Sequence, residues 1–224
     1  MSFMKTNSVN ITVDGTTYNS LTDFGLAIEN TDYAGTPVLA TDTLVQVPGR
    51  EGPLDTADAV FGGAYFIKRV ISISFGGIRN AEDWDSVIST FRNLFEGKTV
   101  KVEFATIPGW YFTGRCVINA HKHRRALGTF LFQIPNADPY RYRDITITVP
   151  ADSGSDPITL NVTRKTVIPT FVATDNAVVT YQGQLYPIDA GTRQISAIKL
   201  RAGTHILYVQ STSNVEILYK DGSL

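Results

Sequence analysis

Apolar and polar residues alternate along most of this chain in short blocks. Val9, Ile11 and Val13 alternate with Asn10, Thr12 and Asp14, and Val100, Val102 and Phe104 alternate with Lys101 and Glu103. A period of two puts every second side chain on one face of an extended strand, so each block predicts a half-buried strand. Gly, Pro, Asn and Asp separate the blocks. Asp14-Gly15 is a strong signal for a tight hairpin, and Gln182-Gly183 reads as another hairpin tip. A chain written this way is a mainly β protein, with its strands in sandwiches or barrel-like sheets.

In the first part, short strands are predicted at 16–18 and 24–28, and an extended segment at 37–47. The run Val47-Pro48-Gly49-Arg50-Glu51-Gly52 is a loop, because Pro fixes one backbone angle and Gly frees the next. A long strand over 65–75 puts Ile71, Ile73 and Phe75 on one face and ends at Gly76-Gly77. One helix follows. Asn80 can cap it, Glu82, Asp83 and Asp85 suit the positive end of its dipole, and Gly97 is a natural stop. Trp84, Val87, Ile88, Phe91, Leu94 and Phe95 follow helical spacing along one face. That face must be buried against a sheet or a partner subunit, and Trp84 and Phe91 are candidate interface residues.

Strands over 110–119 and 127–134 read as a pair linked by the basic tract His121-Lys122-His123-Arg124-Arg125. Pro135-Asn136-Ala137-Asp138-Pro139-Tyr140 breaks the pattern, and a domain boundary is expected near Asp144. The expected domains are 1-144 and 145-224. The second has predicted strands at 145–149, 158–162, 168–173, 177–181, 184–188, 194–200, 205–209 and 215–219. A second turn is expected at Arg201-Ala202-Gly203. So many strands in so few residues suit a small β-sandwich.

Hydrophobic residues make up 43% of the 224 positions and charged residues 18%. That leaves enough apolar surface to offset chain entropy, so disorder is not expected. A formal net charge of -1 is far from that of a chain that binds nucleic acid along its whole surface. No apolar run nears the roughly 18 residues of a membrane span, and residues 1–7 show no export signal. Cys116 is the only cysteine, which rules out an internal disulfide and a zinc-thiolate cluster within one chain.

No nucleophile elbow, phosphate-binding loop, zincin pair or calcium loop is present. His121 and His123 could share a strand face, but no third ligand stands at a clear spacing, and a solvated basic turn or a subunit salt-bridge patch explains the tract better. Asp83 and Asp85 are two apart on a helix and do not face each other, so they serve the helix dipole rather than paired-carboxylate chemistry. Cys116 lies in an apolar context that suits a buried, inert thiol. Tyr181, Tyr186 and Tyr208 could form a platform for sugar rings or a docking surface, or serve as sandwich core. No catalytic residue, cofactor or metal site is expected.

The order of the pieces is more specific than any one of them. A hairpin-rich start leads to Asp23-Phe24-Gly25-Leu26, then to the Pro48-Gly49-Arg50-Glu51-Gly52 loop, a long strand, a helix containing Trp84, and strands ending in Pro139-Tyr140. This resembles the N-terminal domain of the distal tail protein (Dit) family of siphophages. The last third, with Val178-Val179-Thr180-Tyr181-Gln182-Gly183 and Val215-Glu216-Ile217-Leu218-Tyr219, is similar to that family's galectin-like sandwich. The resemblance implies a virion protein, assembled in the host cytoplasm, that forms a homohexameric ring at the tail's distal end. The ring would join the tail tube protein to the hub or tail-associated lysin and carry receptor-binding proteins or fibres. DNA would pass through without specific binding, and no membrane is involved. On this reading Pro48, Gly49, Arg50 and Gly52 form a loop at a ring or tube contact. A tail tube or terminator-like subunit and a carbohydrate-binding adhesin are the alternatives.

Overall fold

A computed structural model describes residues 7–32, 37–40, 44–57, 65–78, 81–124, 127–152 and 156–224, with backbone alone at 32, 78, 81–82, 120–124 and 127. The expected cap Asn80, and Arg125, lie outside the described residues. Contacts divide the chain into two units, Met1–Tyr140 and Arg141–Leu224. The division falls ahead of Asp144 because a strand already begins at Arg141.

The first unit contains two antiparallel sheets and a helix. One sheet has the order β2 (Thr16–Asn19), β1 (Val9–Val13), β8 (Thr99–Phe104), β9 (Tyr111–Arg115). The other runs β10 (Val117–Arg124), β11 (Leu127–Ala137), β7 (Phe66–Ile78), β3 (Ala27–Asp32), and β4 (Val38–Leu39) also pairs with β7. A separate two-stranded ribbon joins β5 (Leu44–Val45) to β6 (Leu54–Asp55). The sheets do not close into a barrel.

The β1–β2 hairpin turns at Asp14 and Gly15, both at positive φ (49° and 81°), the conformation a two-residue turn needs. Helix α1 (Ala81–Phe95) ends before Gly97, which sits at φ 72°. Its aromatic stripe meets Phe75, Phe130 and Phe132 of β7 and β11. Val9, Ile11, Val100, Val102 and Phe104 from the facing sheet complete the same core.

Three expectations for this unit need correction. The strand expected at 24–28 begins at Ala27, because Asp23-Phe24-Gly25 forms a turn. There the Gly25 N–H donates to Leu21 O at 2.9 Å, and Asp23 Oδ2 accepts from the Asn19 N–H at 2.8 Å. Gly76-Gly77 does not end β7: both glycines are paired within it, Gly77 beneath the Trp84 ring. The segment 110–119 is two strands in different sheets. The chain crosses at Cys116, whose N–H donates to Lys98 O and whose carbonyl accepts from the Gly97 N–H, each at 3.0 Å.

The second unit is a sandwich of two four-stranded sheets. One consists of β12 (Arg141–Val149), β19 (Val215–Ser223), β14 (Thr170–Ala173) and β17 (Gly191–Gln194). The other consists of β13 (Ile158–Val162), β18 (Gly203–Ser211), β15 (Ala177–Tyr181) and β16 (Gln184–Ile188). Its own core includes Leu160, Phe171, Val179, Leu207 and Ile217. The apolar run expected to be a strand at 194–200 is a turn instead, in which the Ile198 N–H donates to Ile195 O at 3.0 Å and Ile198 and Leu200 are buried as separate anchors. Arg201-Ala202-Gly203 therefore leads into β18 and is not a hairpin tip.

Candidate functional site

Side chains of the first unit that a core would claim are left in solvent along one stretch. Val38, Leu39, Leu44, Val45, Val47, Leu54, Tyr65, Ile67 and Val70 are all exposed, nine of the twelve large exposed hydrophobics among the described residues. They lie on β4, at and just before the start of β7, and on the ribbon β5–β6 with its loop. The ribbon has two paired positions per strand, Leu44 with Asp55 and Val45 with Leu54. A two-stranded ribbon this short is not stable alone in water, and one with outward Leu and Val is an adhesive surface.

The loop at the ribbon's tip carries Pro48, Gly49, Arg50 and Gly52, all exposed. The Arg50 N–H donates to Val47 O at 3.2 Å, closing a turn. Gly49 and Gly52 have φ 83° and 79°, and an added Cβ would meet nothing within 4 Å at either. These glycines serve backbone conformation rather than close packing.

The two ends of the sheet β10-β11-β7-β3 differ in charge. The edge strand β10 holds His121, Lys122, His123 and Arg124 at successive positions, and the edge strand β3 holds Glu29 and Asp32. The basic tract expected to be a linking turn is thus mostly strand. Its register against β11 shifts between Asn119 and His121, a bulge. Basic residues and bulges on an edge strand hinder indiscriminate pairing. Among the described residues, no three His, Cys, Asp or Glu side chains gather to hold a metal ion.

Trp84 and Phe91, expected at an interface, have no exposed surface. The Phe91 ring lies 4.5 Å from Phe95, 5.1 Å from Phe24 and 5.2 Å from Phe130, centroid to centroid. The helix stripe is satisfied within the chain. Asp83 and Asp85 are exposed on the helix's first turns. Cys116 is buried, its Sγ 2.6 Å from Phe95 O, and burial pushes its thiol up to about 11. Such a thiol is a poor nucleophile.

The three tyrosines of the second unit do not form one platform. Tyr181 is buried, and burial raises its pKa. Its hydroxyl lies 2.9 Å from His205 Nδ1, while His205 Nε2 lies 2.7 Å from Arg201 O. A carbonyl can only accept, so Nε2 carries the proton, and in the neutral ring Nδ1 accepts from Tyr181. Tyr186 pairs across from the buried Val179 and packs against the core, whereas Tyr208 pairs across from Thr180 on the outer face. Residue spacing alone hides this, since neighbouring strands decide which parity faces in.

No family model matches the sequence, and neither does any curated protein. Solved structures do match. The crystal structure of the phage SPP1 Dit (gp 19.1) protein aligns with 96% of this chain and 99% of its own, at a TM-score of 0.65 and 15% identity. The chain has the Dit fold. SPP1 Dit is described as a paradigm of the hub adsorption apparatus in phages that infect Gram-positive hosts. A de novo designed double-stranded β-helix aligns with 36% of the chain at a TM-score of 0.25 and 14% identity, too weak a likeness to bear on the Dit fold.

Proposed function

We propose that this chain is a non-enzymatic structural subunit of a phage tail. Six copies form a ring at the distal end that joins the tail tube protein to the hub or tail-associated lysin and to the adsorption apparatus. The observation that carries the reading is the extent of the likeness to SPP1 Dit: both units, in one order, over nearly the whole of both chains. The first unit, through Tyr140, supplies the ring, and the second, from Arg141, is the galectin-like sandwich. DNA passes through the lumen without specific contacts.

Two features of the first unit support head-to-tail assembly, in which one patch meets a different patch on the next copy. The basic edge β10 and the acidic edge β3 lie at opposite ends of one sheet, so like edges repel and unlike edges attract. The exposed apolar ribbon, with Arg50 at its tip, offers surface for a neighbouring copy to cover. Closure into a ring satisfies every such surface, and it needs no metal or cofactor.

Tailed particles carrying an epitope-tagged copy test the placement. Antibody label is expected as a single cluster at the tail's distal end. Label spread along the tail would favour a tube subunit, and label absent from particles would overturn the virion reading.

A further inference from the structure

The edge strands of the second unit are not equally guarded. Pro187 interrupts β16 and Arg193 stands on β17, and both devices discourage further pairing. The edge strand β13, Ile158-Thr159-Leu160-Asn161-Val162, has no charge, no proline and an unbroken register against β18. Across from it, the Tyr219 hydroxyl of the facing sheet donates to Asn161 O at 3.1 Å. In an antiparallel pair a residue turns its N–H and its C=O the same way, toward the partner strand or away from it. The Asn161 backbone therefore turns away from β18, and so does that of Thr159, two residues back. The side chains agree: Thr204 Oγ1, opposite Asn161, donates to Asn161 Oδ1 at 2.9 Å, the close approach of a pair without ladder bonds. Thr159 N–H, Thr159 C=O and Asn161 N–H thus stand in a row on an edge that no described strand covers.

We propose that β13 takes an added strand, an extended segment of a second protein. Its main chain pairs with Thr159 and Asn161, and its alternate apolar side chains cover Ile145 and Ile147. An open groove of about 460 Å³ runs along this edge, and its lining includes Ile145, Ile147, Thr159, Asn161 and Tyr219. Ile145 and Ile147 are alternate residues of β12, packed against the sandwich core yet only half-buried. The groove therefore opens onto the apolar inside of the sandwich.

Backbone complementarity names the partner. A donor, an acceptor and a donor at strand pitch are matched by another main chain, the basis of recognition by strand addition. The two isoleucines lie ~7 Å apart along β12, which is also the repeat of side chains on one face of an added strand. Arg143 and Asp144 line one end of the groove and its middle holds no ionisable side chain, so the central residues of the segment are uncharged. A second copy of this chain does not supply the segment from its described residues. Its exposed apolar strands β4, β5 and β6 have two residues each and are already paired. The contact needs one copy only and is independent of the ring.

The probe is a soluble synthetic peptide, acetyl-Lys-Thr-Val-Thr-Ile-Thr-Lys-amide, titrated into the isotope-labelled full-length protein and followed by NMR. Saturable shifts along β13 and at Ile145 and Ile147 are expected, with the Thr159 and Asn161 amides newly protected from hydrogen exchange. Methylating one alternate set of the peptide's nitrogens should weaken binding about tenfold, and methylating the other set should not, because only one set faces the edge. That comparison leaves the protein unaltered. Thr159→Pro removes an N–H that β18 does not use, a change an edge strand tolerates. It should lose binding to the same extent, while Thr159→Val keeps it. No saturable binding, two methylated peptides that bind alike, or undiminished binding in Thr159→Pro would overturn the proposal. So would a fall in oligomeric mass in Thr159→Pro, which would make the occupant a second copy. Each titration reads one copy with one peptide, so its failure leaves the ring reading intact.

Discussion

The indole of Trp84 lies against Gly128, so closely that a Cβ on that glycine would fall 2.6 Å from Cδ2 and 2.7 Å from Nε1. Gly128 pairs with Gly77 across β11 and β7, and the ring edge also approaches Gly77. The two glycines clear a space in the sheet that the helix's largest side chain fills. Gly128→Ala should therefore cost about 1–3 kcal/mol by overpacking, seen as a lower denaturant midpoint. A neutral or stabilising result would mean that the ring shifts freely.

That contact bears on what the sequence could reveal. The spacing of Trp84, Ile88, Phe91 and Phe95 predicts a helix with a buried face, and this helix is found. Spacing cannot tell an inner sheet from a neighbouring subunit as the cover. Gly76-Gly77 reads as a breaker for the same reason: the partner that makes a glycine useful in a strand is remote in sequence. The segment 110–119 and the run 194–200 depart from the single strands expected because strand propensity does not record where a chain changes sheets or turns with buried anchors. The Pro48 to Gly52 loop was legible from its turn residues. The tyrosine faces were not, since register across strands sets them.

Asp221 is fully buried and accepts from the Thr163 N–H and hydroxyl, both at 2.7 Å, and from Arg143 Nη2 at 3.1 Å. It clasps the segment after β13 to the last strand. Asp221→Ala leaves those donors without their acceptor and should cost about 3 kcal/mol, much of it from the Thr163 pair because Arg143 is 44% exposed. Urea unfolding of the full chain reads this, and a loss under about 1 kcal/mol would count against the clasp.

The Cys116 thiol should resist alkylation in the native protein at pH 8 and react once the chain unfolds. Its folded pKa of about 11 lies above the ordinary 9.0, so the unfolded chain ionises first. The stability it contributes is complete below about pH 9 and is lost as pH rises toward 11, amounting to about 2–3 kcal/mol. Comparison with Cys116→Ala, which lacks this titration, isolates the effect. Parallel stability curves for the two proteins across that range would refute it.

Charge at the two sheet edges should govern assembly. Lys122→Glu is expected to weaken oligomers and Glu29→Lys to do the same, while the double variant recovers them. Both residues lie on edge strands, so the melting temperature of the monomer should change little. Sedimentation velocity separates the outcomes: equal losses without recovery would mean that the two edges do not meet.

Arg50→Ala and Leu44→Lys should each weaken assembly and leave the monomer folded, because both side chains are exposed. Circular dichroism checks the fold and light scattering the mass. Unchanged oligomers in both variants would remove the ribbon from the interface.

Native mass spectrometry with negative-stain imaging of the purified protein, alone and mixed with its tail tube protein, tests the central claim most directly. A closed ring of six 24.6 kDa chains, lost in Leu44→Lys, is the predicted result. A chain that stays monomeric at high concentration even with the tube protein present, or that grows into open filaments, would contradict the account.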